Sequence, residues 1–420
     1  MRSSARRQPA LAGLLLLVPR LAGAGPSWVA SWAASPQSAD PSANRPLLRI
    51  EDQTVRERMR LSTGGDRICI RLSNEYGSTP LLVGSVTVAI PTDPASVQPG
   101  SVQTVTFGGR GSVTIPAGSP ALSDPVAFSA ASGAEIAISL YFPKRVATPT
   151  LHWLALKRAV ISGRGDHTRD TKIEGGAVSK SSILVSAVLV PAQPSQRLVV
   201  AFGDSITDGD FSTVDADRNW PSVLVRRLGQ SSEGARLAVV NEGIVGNRLR
   251  SDCFDARIGC FGVSALARFD RDALAMPGVT HIVLLEGIND IGFPGAAIEG
   301  HALAPASELP SPEDLIDAYR QLIARAHAHG VKLIGGTIGP VEGVDVPGYY
   351  SESKEAIRQK VNQWIRTSAA FDAVIDFDSV LRDPRHPTRL LPRFAAEDHL
   401  HPNDAGYQAI ADAIDLALFR

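Results

Sequence analysis

Two rhythms divide the chain. From residue 26 to about 190, apolar and polar positions alternate in short runs: "TVRERMRLS" (54–62), "RICIRLSN" (67–74), "LLVGSVTVAI" (81–90), "VQTVTFGG" (102–109) and "AEIAISLYF" (134–142). Gly, Pro, Ser and Asp separate them. A period of two buries one face of a strand, and turn residues at this spacing interrupt any long helix, so the pattern predicts an all-β, jelly-roll-like sandwich over 25–190. "VLVPAQPSQ" (188–196) carries two prolines among polar residues, which makes 191–196 the expected linker.

From residue 197 to 420 the rhythm changes to short apolar runs alternating with longer amphipathic stretches. The runs "RLVVAFG", "RLAVVNEG", "THIVLLEG", "VKLIGGTIGP" and "DAVIDFDSV" predict strands, and 220–228, 312–329, 353–368 and 404–419 predict helices. Strands buried on both faces are apolar throughout, and strand–helix alternation requires parallel pairing with right-handed crossovers. The expected second domain is therefore a three-layer, doubly wound parallel α/β sheet, whose ligands bind beyond the carboxyl ends of its strands. No internal repeat or low-complexity tract interrupts either half.

Composition narrows the setting. Hydrophobic residues make up 44% and charged residues 20%, enough for a sizeable core in a globular protein. Lys plus Arg number 42 against 43 for Asp plus Glu, and a net charge of -1 offers no field for nucleic acid. Arg2, Arg6 and Arg7 precede an apolar run over 11–18, followed by Ala22, Gly23 and Ala24. That order predicts a signal peptide over 1–24 and a secreted or periplasmic protein. The run is too short for an integral membrane segment, which needs about 20 apolar residues. Cys253 and Cys260 are close enough in sequence to close a small disulfide loop in an oxidising compartment, while Cys69 alternates with apolar neighbours as a buried thiol does.

Short polar residues gather where the predicted parallel strands end. The first delivers Gly203, Asp204 and Ser205; the second delivers Asn241, Gly243, Gly246 and Asn247; the third delivers Glu286, Gly287, Asn289 and Asp290. Just before the last helix, Asp398 stands three residues ahead of His401. A serine hydroxyl is a weak nucleophile, so it needs an imidazole to take its proton and a carboxylate to orient that imidazole. Backbone N–H groups of glycine and an amide side chain suit the oxyanion that follows, because they add dipoles without adding a titrating group.

"GDSITDG", "GNR", "GIND" and "DHLH", in this order, resemble the four signature blocks of the SGNH, or GDSL-type, hydrolase superfamily. The resemblance implies Ser205 as nucleophile and first oxyanion donor, Gly246 and Asn289 as the other donors, His401 as base and Asp398 as its partner. Gly243 competes with Gly246, and His399 with His401. "WVASWAASPQ" and "RLSNEYG" resemble the β-domain of a secreted subgroup, some of whose members act on acetylated xylan. Asp204 reads as structural, Glu286, Asn241 and Arg248 as supporting residues, and His327 with His329 as a solvated helix end.

Neither a His-Glu-x-x-His zinc motif, a phosphate loop nor a dinucleotide fingerprint occurs, so no cofactor and no metal are expected, and the lack of a Gly-x-Ser-x-Gly elbow around Ser205 argues against an ordinary α/β-hydrolase. The expectation is a secreted serine esterase acting on short-chain, acetyl-like esters of carbohydrates or of aryl and alkyl alcohols, acylated polysaccharide among them. A lipase or phospholipase of the same superfamily is the alternative, as is a carbohydrate-binding or adhesion protein with an inactive hydrolase domain. The long connections 206–220, 247–265 and 291–311 are expected to shape the pocket.

Overall fold

A computed structural model describes residues 27–39, 49–230, 236–252 and 262–420. The predicted signal peptide and the Cys253–Cys260 pair lie outside these residues.

The first half is β-rich and built from two main antiparallel sheets. One runs in the order Trp28–Ala33, Val185–Pro191, Gly65–Asn74, Val126–Ala130, with Ser119–Leu122 also paired to Gly65–Asn74. The other runs Ala177–Ser179, Ala159–Arg164, Gln53–Arg60, Glu135–Phe142, Ser85–Ala89, Gln103–Thr104. Period-two alternation decides what is buried: Ile68, Ile70 and Leu72 turn inward from the first sheet, Val55, Met59, Ile138 and Leu140 from the second. Each such side chain contributes about 1.5–3 kcal/mol by leaving water.

Two predicted strands differ from the observed ones. The run 81–90 is divided at Gly84 into Leu81–Val83 and Ser85–Ala89. Only Gln103–Thr104 of 102–109 is strand, because the Asp124 carboxylate captures the following turn, accepting from Thr106 Oγ1 at 2.7 Å and from the Gly108 and Gly109 N–H groups at 3.0 and 2.8 Å.

The second half holds a five-stranded parallel sheet in the order Leu237–Gly243, Arg197–Gly203, Val279–Leu285, Lys332–Gly336, Ala373–Ile375. In chain order this is 2-1-3-4-5, the flavodoxin-like winding. The order reverses beside the first strand, so its carboxyl end opens onto the crevice where such sheets bind ligands.

Capping residues set the helices. Asn219 caps Trp220–Gly229, Ser311 and Asp314 form a reciprocal capping box on Pro312–Ala328, Ser351 caps Glu352–Thr367 and Asn403 caps Asp404–Ala413. The predicted helix 404–419 breaks at Ile414, whose ψ of 116° is extended; Asp415 then caps a separate 3₁₀ turn, Leu416–Phe419. Likewise the predicted strand 372–380 ends at Ile375, because Asp376 caps the helix Phe377–Leu381.

The halves touch directly. Ala30 N–H donates to Pro277 O at 3.0 Å, and Ser35 Oγ donates to Glu242 Oε2 at 2.5 Å. Among the described residues no helix is long and apolar enough to cross a membrane.

Candidate active site

Ser205 opens the four-residue helix Ser205–Asp208 at the carboxyl end of the first parallel strand. Asp204 caps that helix, its carboxylate accepting from Ile206 N–H at 2.9 Å. This is the structural role expected of Asp204. Burial pushes its carboxyl up to about 7, against the Ile206 bond and the charge of His401.

His401 Nε2 lies 2.7 Å from Ser205 Oγ, and its Nδ1 lies 2.5 Å from Asp398 Oδ2. The carboxylate holds the proton on Nδ1, which leaves Nε2 as an acceptor facing the serine hydroxyl. Asp398 is itself fixed by its other oxygen, which accepts from the Leu400 and His401 N–H groups at 3.0 Å each. The intervening His399 takes φ 59°, in the left-handed region. That conformation curls the segment into a turn rather than a helix, and His399 lines a separate groove with Glu342, Arg389 and Glu397. Of the two histidines, His401 is the one that meets Ser205.

Two opposing effects act on His401. Burial disfavours its charged form, but the bond to Asp398 and the charges of Asp210, Asp398 and Asp204 outweigh burial and raise the imidazole above its ordinary 6.5. Burial likewise acts to raise Asp398, and the His401 bond and charge reverse it to a net lowering. Phe211 stacks on the imidazole, ring centroids 5.3 Å apart and planes 16° from parallel, and remains 41% exposed.

The amide of Asn289 is held at both ends. Its Nδ2 donates to Asn247 O at 2.9 Å, and its Oδ1 accepts from Tyr349 Oη at 2.9 Å. The tyrosine fixes the amide orientation and leaves Nδ2 one further hydrogen to donate. Gly246, at φ 70°, makes the turn that brings Asn247 into this bond. Gly243 has a different use: its N–H is taken by Asn241 Oδ1 at 2.9 Å, and a Cβ there would stand 2.2 Å from Asp208 N. Close packing of strand on helix accounts for that glycine.

Beneath these groups lies Arg268, fully buried. It donates from Nε to Asn247 Oδ1 at 2.8 Å, and from its two terminal nitrogens to Glu242 O at 2.8 Å, Gly203 O at 2.9 Å and Ser35 Oγ at 3.0 Å. Asp272 and Glu286 stand within 3.3 and 3.5 Å, and the guanidinium lies 4.0 Å over the Phe202 ring. Glu286 is thus a supporting residue, as expected. Asn241 ties the serine helix to the second strand through Thr207 O at 2.9 Å, and Arg248 pairs with Glu308 at 2.6 Å. His327 pairs with Asp372 at 2.9 Å at the helix end.

Four participants were not singled out from the sequence: Arg268, Tyr349, Phe211 and Asp208. Asp208 alone had a signal, its place inside "GDSITDG". The described residues contain no cluster of three or more His, Cys, Asp or Glu able to hold a metal ion.

A doubly wound parallel sheet thus presents a serine, an imidazole and a carboxylate in hydrogen-bonded sequence at its carboxyl edge. Residues 201–409 match the model of the GDSL-like lipase/acylhydrolase family, and through this domain the chain belongs to that family of carboxylic-ester hydrolases. Similar solved structures include a lipolytic protein of the G-D-S-L family from Desulfitobacterium hafniense DCB-2, at 19% identity over 52% of this chain and 97% of that one (TM-score 0.38). The native aryl esterase of M. smegmatis aligns at 16% identity over 52% and 95% (TM-score 0.38). An acetyl xylan esterase, AlAXEase, aligns at 18% over 51% and 96% (TM-score 0.37). No curated protein matches the chain in sequence.

Proposed function

We propose that the protein is an exported serine esterase in which Ser205 is the nucleophile, His401 the general base and Asp398 its orienting carboxylate. The observation that carries this reading is the 2.7 Å approach of His401 Nε2 to Ser205 Oγ, with Nδ1 committed to Asp398. Ser205 Oγ attacks the ester carbonyl as its proton passes to Nε2. The tetrahedral oxyanion takes hydrogen bonds from the Ser205 and Gly246 backbone N–H groups and from Asn289 Nδ2. Collapse breaks the bond to the alcohol, which leaves with the proton from Nε2. Water, deprotonated by the same nitrogen, then attacks the acyl-enzyme and frees Ser205.

We infer short-chain, acetyl-like esters of carbohydrates or of aryl and alkyl alcohols as substrates, with acylated polysaccharide as a natural carrier. In support of a small acyl group, Asn289 backs directly onto the buried Tyr349, whose ring packs edge-on against that of Phe293 with centroids 6.0 Å apart. Export is supported by the arginine-led apolar run at residues 2–24.

The test is Ser205→Ala on a ladder of p-nitrophenyl esters. Loss of kcat by about 10⁴-fold or more with an unchanged fold is expected, together with turnover that falls as the acyl chain lengthens. Near wild-type hydrolysis by Ser205→Ala overturns the site; faster turnover of long chains overturns the substrate and favours a lipase. The pH profile adds an independent check. Only neutral His401 accepts the proton, and its pKa is raised, so kcat/KM should fall on acidification with a midpoint above 6.5. A midpoint well below that value contradicts the role of His401.

A further inference from the structure

We propose that His152, a residue of the β-rich half, is a positioning residue for the hydrolase site: through Asp208 it fixes both the helix that carries Ser205 and the loop that carries Gly246. The inference rests on the assignment of Ser205 as nucleophile.

His152 ends the short strand Thr150–His152, which pairs on one side with Ser182–Ile183 and on the other with Gln37–Ser38. The ring is buried and engaged at both nitrogens: Nδ1 lies 3.0 Å from Ser35 O, and Nε2 lies 3.1 Å from Asp208 Oδ1. A carbonyl only accepts, so Nδ1 carries a hydrogen. The other oxygen of Asp208 accepts from Val245 N–H at 3.2 Å, as a carboxylate does. Nε2 faces Asp208 Oδ1, so the ring is clamped between a carbonyl of its own half and the carboxyl of the other. Burial pushes Asp208 up against its bond to His152, and the surroundings of His152 favour the imidazolium form. Burial opposes that charge, but the Asp208 charge and bond, the Ser35 carbonyl and the charge of Glu242 outweigh it.

Asp208 is the last residue of the Ser205–Asp208 helix, and Val245 adjoins Gly246. One carboxylate thus joins the β-rich half, the serine helix and the candidate oxyanion loop. A helix of four residues closes too few internal hydrogen bonds to hold its own orientation, so external ties must supply it. Asn241 provides one, from Nδ2 to Thr207 O and Asp208 O at 2.9 and 3.2 Å. His152 provides the charged one. Tilting this helix moves Ser205 Oγ relative to both His401 Nε2 and the oxyanion donors, and misplacement on the ångström scale costs rate rather than affinity.

The experiment uses the full chain and three readouts: kcat and KM on p-nitrophenyl acetate, the labelling rate with a fluorophosphonate probe, and thermal unfolding. At a temperature where the variant is folded, His152→Ala should lower kcat and the labelling rate roughly 10- to 100-fold with KM unchanged within about twofold. His152→Gln, which keeps one donor towards Asp208, should recover part of the loss, and adding Asp208→Asn to His152→Ala should cost little more. The proposal is overturned if folded His152→Ala retains kcat within about twofold of wild type. Should His152→Ala not fold, His152→Gln decides, and wild-type kcat with a lowered melting temperature then refutes positioning. Ser205→Ala is assayed in parallel. Hydrolysis by that variant means that the nucleophile assignment has failed; an inert Ser205→Ala beside fully active His152 variants means that positioning alone has failed.

Discussion

Both halves of the molecule bury polar and charged side chains, and they do so for different ends. In the β-rich half, Arg56 lies fully buried and donates to Ser139 Oγ at 2.9 Å and to the Ala95 and Asp170 carbonyls at 2.7 Å each. Its neighbour Glu57, pushed up to about 8 by burial against its bonds to Ser182 and Ile183, accepts from Ser182 Oγ and Ile183 N–H at 2.7 and 2.8 Å. These bonds stay within that half: those to Ala95 and Asp170 lock loops to the sheet, and those to Ser139, Ser182 and Ile183 join strands. In the parallel-sheet half, Glu242, Asp272, Glu286 and Arg268 gather under the carboxyl edge, and Glu242 Oε1 and Glu286 Oε2 find no hydrogen-bond partner among the described residues. A sheet built only for stability would satisfy these carboxyls or replace them by apolar groups. Concentrating them where Ser205, His401 and Asn289 meet trades stability for fixed geometry, a pattern expected where a fold serves chemistry.

The largest break in that contrast should come from Arg268. Replacing it by Ala takes from Glu286 the cation beside it, leaves Asp272 to Arg271 alone and removes the donors to Gly203 O and Asn247 Oδ1. A loss of about 3–5 kcal/mol in unfolding free energy is expected, with insoluble expression as the practical sign. Arg56→Ala in the other half breaks bonds to neutral acceptors and should cost less, about 1–3 kcal/mol. Denaturant titration of both variants tests the comparison, and equal losses would remove the distinction drawn between the halves. Asn289→Ala takes the partner from Tyr349 Oη and Asn247 O and should cost about 1–3 kcal/mol, while the proposed oxyanion role predicts a drop in kcat of about 10²- to 10³-fold in the folded variant. An effect confined to KM would contradict that role.

How far the sequence led can be judged on particular residues. The parallel sheet was legible because its strands are buried on both faces, as Val199, Val200, Ala201 and Phe202 are in the first. Ser205, His401 and Asp398 stood out as polar residues at the expected strand ends and ahead of the last helix, and the resemblance of the four blocks to the SGNH signature implied their roles. The structure brings the three into hydrogen-bonded contact. Helix ends were legible only in part: the stop at Ile414 depends on one backbone angle, and the stop of the fifth strand depends on Asp376 serving as a cap. Arg268 gave no signal, because an arginine in "ALARFDRDAL" looks like the polar side of an amphipathic helix. His152 gave none either; its partner Asp208 lies 56 residues away in the other half. Contacts across the halves are set by how two finished surfaces fit, and no local pattern carries that information.

The smallest effects, and the ones that sharpen the comparison most, concern residues 209–217, which leave the Ser205 helix and return along the β-rich half. Asp215 bonds Arg58 at 2.7 Å, the Arg158 N–H at 3.0 Å and the Arg158 side chain, while Asp217 bonds Arg60 at 2.6 Å and Lys157 at 2.9 Å. Phe211 sits between these anchors and His401, at φ 63°, a strained angle for a non-glycine residue. Phe211→Ala should lower kcat/KM for aryl esters a few-fold, equivalent to about 1 kcal/mol of ring contact, and change little for the smallest alkyl acetates. Asp217→Asn weakens a pair to Arg60, which is more than a third exposed and so screened by solvent, and a largely buried pair to Lys157, and should cost about 1 kcal/mol in all. That cost should appear as a slightly lower melting temperature which added salt makes indistinguishable from wild type. If Asp217→Asn reduced aryl-ester turnover as strongly as Phe211→Ala does, the ion pairs would be setting the ring's position over His401. If turnover stays unchanged, the strained backbone and the stacking hold Phe211 without help from the β-rich half.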